Sequence, residues 1–364
     1  MASTKRLLAL DVLRGLTIAL MILVNTPGSW SHVYAPLLHA SWDGCTPTDL
    51  VFPFFLFIVG SSMWYSFKKY GNGLTSAGIR KVIKRFVVIF LIGLFLNAFP
   101  NFDFENLRIY GVLQRIAIAY AITAILCMQF DIKKLIYIVI ALLLGYWAIY
   151  HLGGTYDLEG NVVRKVDLWL FGEKHIYHGY GMPFDPEGLV SSIPSVATVL
   201  LGYFAGNFVD KSVTVMQGVV KLILAGALLV VLGLIWNFGF PINKPIWSSS
   251  YVVYTGGLAM LFLALLLYLI DVKNIRILFT PFIHFGTNPL FIYVLSGMIG
   301  GILGFVQVTN SAGESVGILR AYYTDVLVPM FGDLNGSLAY AISHVVFLWL
   351  VALILYKRKI FIKI

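Results

Sequence analysis

An imidazole, two carboxylates, three hydroxyls and an indole fall within eleven residues, His39-Ala40-Ser41-Trp42-Asp43-Gly44-Cys45-Thr46-Pro47-Thr48-Asp49. The stretch lies between two apolar runs and is too polar and turn-rich to face lipid. A carboxylate can orient an imidazole and stabilise its cation, so His39 with Asp49 reads as a proton-handling pair. Asp49 also opens an apolar run, and a plain place at a helix N-terminus, where the dipole favours a carboxylate, stands beside that reading. Asn25 closes the preceding run on the same side. Cys45 is a weaker nucleophile candidate, because nothing near it in sequence lowers a thiol's pKa. His32, His151, His175, His178 and His344 have no spacing that suits a metal, and none is expected.

The elements that must position these groups are membrane helices. The 364 residues are 59% hydrophobic and 12% charged, about half the charge of an ordinary soluble domain. Ten apolar runs recur, at roughly 8–26, 49–67, 83–99, 110–128, 132–152, 189–208, 214–236, 247–270, 277–305 and 338–356, each near the length that crosses a bilayer. The expected fold is all-α, a polytopic membrane helix bundle of about ten transmembrane helices forming one domain, 1–364. Lys5 and Arg6 before the first run resemble a signal peptide, but Asp11 and Arg14 interrupt it and no cleavage pattern follows, so an uncleaved span is expected. Two cysteines, Cys45 and Cys127, offer no disulfide framework.

The net charge of +9 is distributed as an orientation signal rather than a nucleic-acid stripe. One set of loops carries Lys5, Arg6, Lys68, Lys69, Arg80, Lys81, Lys84, Arg85, Lys133, Lys134, Lys211, Lys273, Arg276 and the basic C-terminus. The alternate loops, though longer, hold only Arg108, Arg164, Lys165, Lys174, Lys244 and Arg320. The positive-inside rule then puts both termini in the cytoplasm and His39 outside, with long external segments at about 27–48, 153–188 and 306–337.

Charges inside spans are functional candidates. Asp11 and Arg14 share a helical face near one end of the first span, where an internal ion pair is the simpler account. Arg115, beside Gln114, must find a carboxylate or an anionic ligand; Lys221 also falls within a span. Pro281 and Pro289 bracket His284-Phe285-Gly286-Thr287-Asn288 in the ninth run. That pattern suits either a broken helix lining a cavity or a surface helix followed by a shorter span. Ten spans with a broken helix also fit a secondary transporter of sugars or amino sugars, the alternative from another class, although no repeat is visible.

In order, Leu10-Asp11-Val12-Leu13-Arg14-Gly15, Val24-Asn25, His39-Ala40-Ser41-Trp42-Asp43-Gly44 and Thr48-Asp49-Leu50-Val51-Phe52-Pro53 lead on to Phe57-Ile58-Val59-Gly60. Arg108-Ile109-Tyr110-Gly111-Val112-Leu113-Gln114-Arg115, Asp185-Pro186-Glu187-Gly188-Leu189, Ile193-Pro194, Trp247-Ser248-Ser249-Ser250-Tyr251 and Gly286-Thr287-Asn288-Pro289-Leu290 complete the series. Through most of its length the chain thus resembles bacterial relatives of the heparan-α-glucosaminide N-acetyltransferase family, transmembrane acyltransferases. Two features depart from the animal enzymes: residues 26–38 make a longer link, and no large luminal domain is expected ahead of the first span.

The resemblance implies transfer of acetyl from cytoplasmic acetyl-CoA to an amino sugar outside, in a bacterial inner membrane. It makes His39 the active-site histidine, as base or acetyl carrier, and Asn25 its partner. Acyl transfer to an amine needs the neutral amine, which suits a histidine base. Asp11, Arg14, Gln114, Arg115, Ser250 and Asn288 are the residues expected to hold the donor. Trp42, Asp43, Arg108, Asp185, Glu187 and Trp247 are those expected to hold the sugar, carboxylates for its amine and hydroxyls and indoles for its apolar face. Expected partners are acetyl-CoA, an amino-sugar or glycan acceptor and membrane lipids, with a homodimer left open and nucleic acid excluded.

Overall fold

Several helices begin where the sequence supplies a side-chain acceptor for the first unpaired backbone N–H groups. In the computed structural model, which describes residues 7–67, 73–311 and 313–362, the helices are α1 Leu8–Asn25, α2 Val51–Phe67, α3 Ser76–Ala98, α4 Val112–Gln129, α5 Ile132–Gly153, α6 Val162–Phe171, α7 Ser192–Asp210, α8 Val215–Trp236, α9 Ser249–Leu267, α10 Thr280–Thr287, α11 Pro289–Gly304, α12 Ile318–Ala321 and α13 Val328–Lys357. Thr75, Asp131, Asn161, Thr214 and Ser248 cap α3, α5, α6, α8 and α9 through side-chain oxygens. Among the described residues the one sheet is a short antiparallel hairpin, β1 Gln307–Thr309 with β2 Ser315–Gly317.

The protein is an all-α, multi-pass integral membrane protein. Among the described residues, eight helices are each long and apolar enough to cross a membrane, and Ile277–Thr287 with Pro289–Gly304, a pair bent by 77°, brings the number to nine when counted as one span. The tenth expected position is filled by α3, which starts earlier than the sequence suggested. Arg80, Lys81, Lys84 and Arg85, read as loop residues, lie in its first turns. The apolar remainder, 86–98, is about 20 Å long, short of a ~30 Å hydrocarbon core. Lys5, Arg6, Lys68, Lys69 and Lys363 lie outside the described residues.

Two expected loops contain more helix than their composition suggested. The 306–337 segment turns helical at Ile318 and continues through a π-helical turn, Tyr322–Leu327, into α13, with one break at Gly332 (φ 75°). The 153–188 segment holds the amphipathic α6, whose buried face is Val163 and Asp167.

The chain divides into two compact units. The first comprises the described residues within 1–40, 46–51 and 275–363. In it α1 packs on α10, α11 and α13. A Cβ on Gly15 would lie 1.7 Å from Phe282 O and one on Gly286 2.2 Å from Asp11 O, so both backbones depend on hydrogen at these positions. Small residues at such crossings allow the backbone approach that drives helix association in membranes. Gly15→Ala is expected to force α1 and α10 apart and cost about 1–3 kcal/mol. A thermal melt of the detergent-solubilised variant measures this, and an unchanged melt would refute the close crossing.

The second unit comprises the described residues within 41–45 and 52–274. Gly60 and Gly202 make an equivalent crossing of α2 and α7: their Cβ atoms would sit 1.8 Å from Val199 O and 1.9 Å from Phe57 O. Ser61 Oγ donates to Gly202 O at 2.8 Å beside it. Tyr146, Tyr150, Val163, Phe184, Phe240 and Ile246 form a core that joins α5, α6 and the segments before α7 and α9.

Candidate active site

The first unit holds the histidine. Thr46-Pro47-Thr48-Asp49 makes a short 3-10 turn, Pro47–Leu50, that leads into α2 with a capping box between Thr46 and Asp49. Asp49 is 1% exposed. Its Oδ2 accepts from Thr46 N and Ala40 N, both at 3.0 Å. Thr46 Oγ1 lies 3.1 Å from the same oxygen and 2.7 Å from Leu38 O, and its one proton serves one acceptor at a time. Oδ1 faces His39 Nδ1 at 2.6 Å. The helix-start role and the imidazole contact are therefore made together, by different oxygens of one carboxylate. With Asp49 ionised, Nδ1 carries the proton and Nε2 becomes the basic nitrogen. The His39 side chain is 46% exposed, so the basic edge is reachable.

The 26–38 link is held against the start of α13. Gly28 N donates to Ser337 O at 3.3 Å, Ser29 N to Ser337 Oγ at 3.1 Å, and Tyr34 hydrogen-bonds Asn335. Tyr323 and Ser337 crowd Gly28, where a Cβ would lie 2.4 Å from the Tyr323 ring. Asn25 is the last residue of α1, is exposed, and gives one amide hydrogen to Met21 O at 2.9 Å. Arg14 Nη1 donates to Asp11 Oδ1 at 3.0 Å and lies 3.4 Å from Gly286 O, so the two form the internal pair their spacing allowed. The Asn288 amide is engaged by the chain end: Nδ2 donates to Ile360 O at 2.9 Å, and Ile362 N donates to Oδ1 at 2.8 Å.

In the second unit three expected sugar-binding residues hold one another. Arg108 Nε and Nη2 meet Asp185 Oδ2 and Oδ1 at 2.8 and 2.6 Å, and Nη2 reaches Glu187 Oε2 at 2.5 Å. The guanidinium also lies over the Tyr177 ring at 4.6 Å. Burial works against its charge, but the hydrogen bond to Asp185 and the charge of Glu187 more than offset that and raise its pKa. Trp42 donates to Tyr156 O at 2.9 Å and meets Tyr180 and Phe184 edge-on. Asp43 accepts from Asn243 Nδ2 at 3.1 Å. Trp247 is 1% exposed, donates to Thr198 Oγ1 at 3.2 Å and supports Arg115, whose guanidinium sits 4.8 Å above its ring.

Arg115 is fully buried. Nη2 donates to Pro186 O at 2.7 Å and to Ser191 Oγ, while Nε and Nη1 have no partner among the described residues. The Gln114 amide nitrogen is likewise buried without one. Ser250 is buried against Ser248, their hydroxyls 3.0 Å apart. No group of three His, Cys, Asp or Glu residues among those described could hold a metal ion.

Sequence reasoning missed Asp167, Ser191 and Asn243. Asp167 was within reach: with Val163 four residues earlier it defines the buried face of α6. It is 1% exposed; Oδ1 accepts from Leu189 N at 3.0 Å and Oδ2 has no partner among the described residues. Gly188 leaves room for Oδ2, which would stand 1.7 Å from a Cβ there. Burial, with a further push from Asp185, raises the Asp167 pKa to about 7 against a restraining Leu189 N–H and Arg115. A raised folded-state value favours the protonated form, so this group's stability is full below the unfolded carboxylate pKa and is lost as pH rises through about 7. Melts of Asp167→Asn between pH 4 and 8 are expected to show a flatter pH dependence than wild type. Parallel curves would refute the buried neutral acid.

A helical membrane protein with a buried carboxylate set behind an exposed histidine is the class that fold and site define. The sequence model described as "Heparan-alpha-glucosaminide N-acetyltransferase, catalytic" matches residues 6–234, and the chain belongs to that family. It is 29% identical to heparan-alpha-glucosaminide N-acetyltransferase of Mus musculus over 432 residues, covering 100% of this chain and 61% of the mouse protein. The Homo sapiens enzyme is 29% identical over 357 residues, 79% of this chain and 52% of the human one. The chain thus spans between half and two thirds of the relatives' length.

Proposed function

We propose that the protein is a transmembrane acetyltransferase of a bacterial inner membrane, acting as one acyltransferase domain over residues 1–364. It moves acetyl from cytoplasmic acetyl-CoA to an amino sugar of glucosamine type on the other side. The observation that carries the reading is the 2.6 Å contact of His39 Nδ1 with a buried, multiply hydrogen-bonded Asp49. Family membership supports the reaction class, and the names of the mouse and human relatives supply the acceptor type.

In this mechanism His39 Nε2 takes a proton from the acceptor amine as the nitrogen attacks the thioester carbonyl. The C–S bond breaks, the amide forms, and the departing CoA thiolate receives that proton. Asp49 steadies the imidazolium formed in between. The second amide hydrogen of Asn25 is the donor assigned to the developing oxyanion, a role worth about 3–4 kcal/mol in a dry site. Of the residues expected to hold the donor, Arg115 and Gln114 keep buried N–H groups without partners among the described residues, which suits the oxygen-rich parts of acetyl-CoA. Asp11, Arg14, Asn288 and Ser250 remain assigned to the donor side. Trp42, Asp43, Arg108, Asp185, Glu187 and Trp247 remain assigned to the acceptor.

The test is purified protein with acetyl-CoA and glucosamine, following thiol release and N-acetylglucosamine. Release with product is expected; none with any amino sugar would favour the transporter reading. Acetylated His39 trapped without acceptor would make the residue a carrier rather than a base. For orientation, a membrane-impermeant thiol reagent applied to whole cells is expected to label Cys45 and spare Cys127; the reverse would invert the topology.

A further inference from the structure

The second unit contains a cavity of about 630 Å³ whose lining includes none of the residues assigned to acetyl transfer. It opens between α5 and α8 over a floor of α7 and α9. Ile140, Leu144, Phe204, Ala225, Leu228 and Leu232 are among its walls, and the indoles of Trp147 and Trp236 supply its only polar side-chain groups. Those indoles meet edge to face, 5.8 Å between centroids, toward the end where both helices finish. The space equals about twenty waters at ~30 Å³ each, but walls without polar partners do not hold water. Ile140, Leu144, Leu228 and Leu232 on its rim are exposed along apolar spans, so the surrounding medium is lipid. From Ile136 to Trp147 the slot follows α5 for about 16 Å, roughly half a ~30 Å hydrocarbon core, the depth of one leaflet.

The other end of the slot is cationic. Lys133 and Lys134 sit on the first turn of α5, Lys211 directly follows α7, and Lys221 lies one turn before Ala225 on α8. All four are exposed. Asp131, which caps Lys134 N, and Asp210 are the acidic residues beside them in sequence. Lys221 is the one charged residue of α8 and has no ion-pair partner among the described residues, and a cation in that position is costly unless an anion meets it.

We propose that this cavity binds one anionic phospholipid, an acyl chain filling the slot between α5 and α8 and the phosphate meeting Lys133 and Lys221. Native mass spectrometry of the full chain in detergent, titrated with phosphatidylglycerol or phosphatidylcholine, tests it. One phosphatidylglycerol is expected to remain bound at concentrations where phosphatidylcholine does not. Lys221→Gln, on an exposed position, is expected to weaken retention about fivefold. Ala225→Trp, which fills the slot, is expected to abolish retention with circular dichroism unchanged. Equal retention of both lipids, or retention unaffected by either variant, would overturn the site. So would a dimer that Ala225→Trp splits, which would make the slot a contact with a second copy of the chain.

Discussion

Replacing His39 by alanine is expected to slow acetyl transfer by about a hundred- to ten-thousand-fold, the range a positioned acid–base group supplies, with the protein still folded. The stability half follows from the geometry. Asp49 loses the contact on Oδ1 but keeps Ala40 N and Thr46 N on Oδ2, so the carboxylate stays anchored at the start of α2. His39 itself is nearly half exposed and buries little apolar surface. Asp49→Asn should also slow transfer, because an amide in that place no longer fixes the imidazole with its proton on Nδ1. The two substitutions disable one unit and should be far from additive. Rates of thiol release for wild type, both single variants and the double variant give the measurement. Wild-type turnover in His39→Ala would end the assignment of this histidine.

Arg108→Ala is the second large effect, and it acts on folding. The substitution removes the cation from Asp185, whose side chain is 2% exposed, and from Glu187 beside it. Breaking one side of a buried pair costs about 3–5 kcal/mol. The Arg108 side chain is 23% exposed, which places the expected loss at the low end. Arg108→Lys should recover only part, because an ammonium cannot make the two parallel bonds to Asp185. Adding Asp185→Asn to Arg108→Ala should restore stability toward wild type, since the unpaired charge is then gone. Melts of the four proteins in one detergent decide it; an unchanged Arg108→Ala melt would mean the cluster carries no stability.

Read on its own, the sequence located most helices, because a span needs a long uninterrupted apolar run and few charges. It misjudged α3 and the lead-in to α13 for the same reason. A helix end that emerges from the apolar layer carries charge and looks like loop, as Arg80 to Arg85 do. The region of the histidine was legible too, since a polar, turn-rich stretch between spans stands out. Arg108 and Asp185 are 77 residues apart, and nothing in either neighbourhood announces that each is the other's partner. Asp167 escaped because one acid in a short amphipathic helix looks like a solvated face.

The His39–Asp49 pair divides the same way. Sequence determined the membrane class, the family and the presence of an imidazole and a carboxylate in one short loop, since these depend on composition and local order. Tertiary structure decided which oxygen of Asp49 caps a helix start and which one holds Nδ1. It also decided that Asn288 holds Ile360 and Ile362 while Arg115 keeps buried N–H groups without partners among the described residues. Hydrogen bonds are short and directional, so they depend on positions that separate segments reach only after they pack.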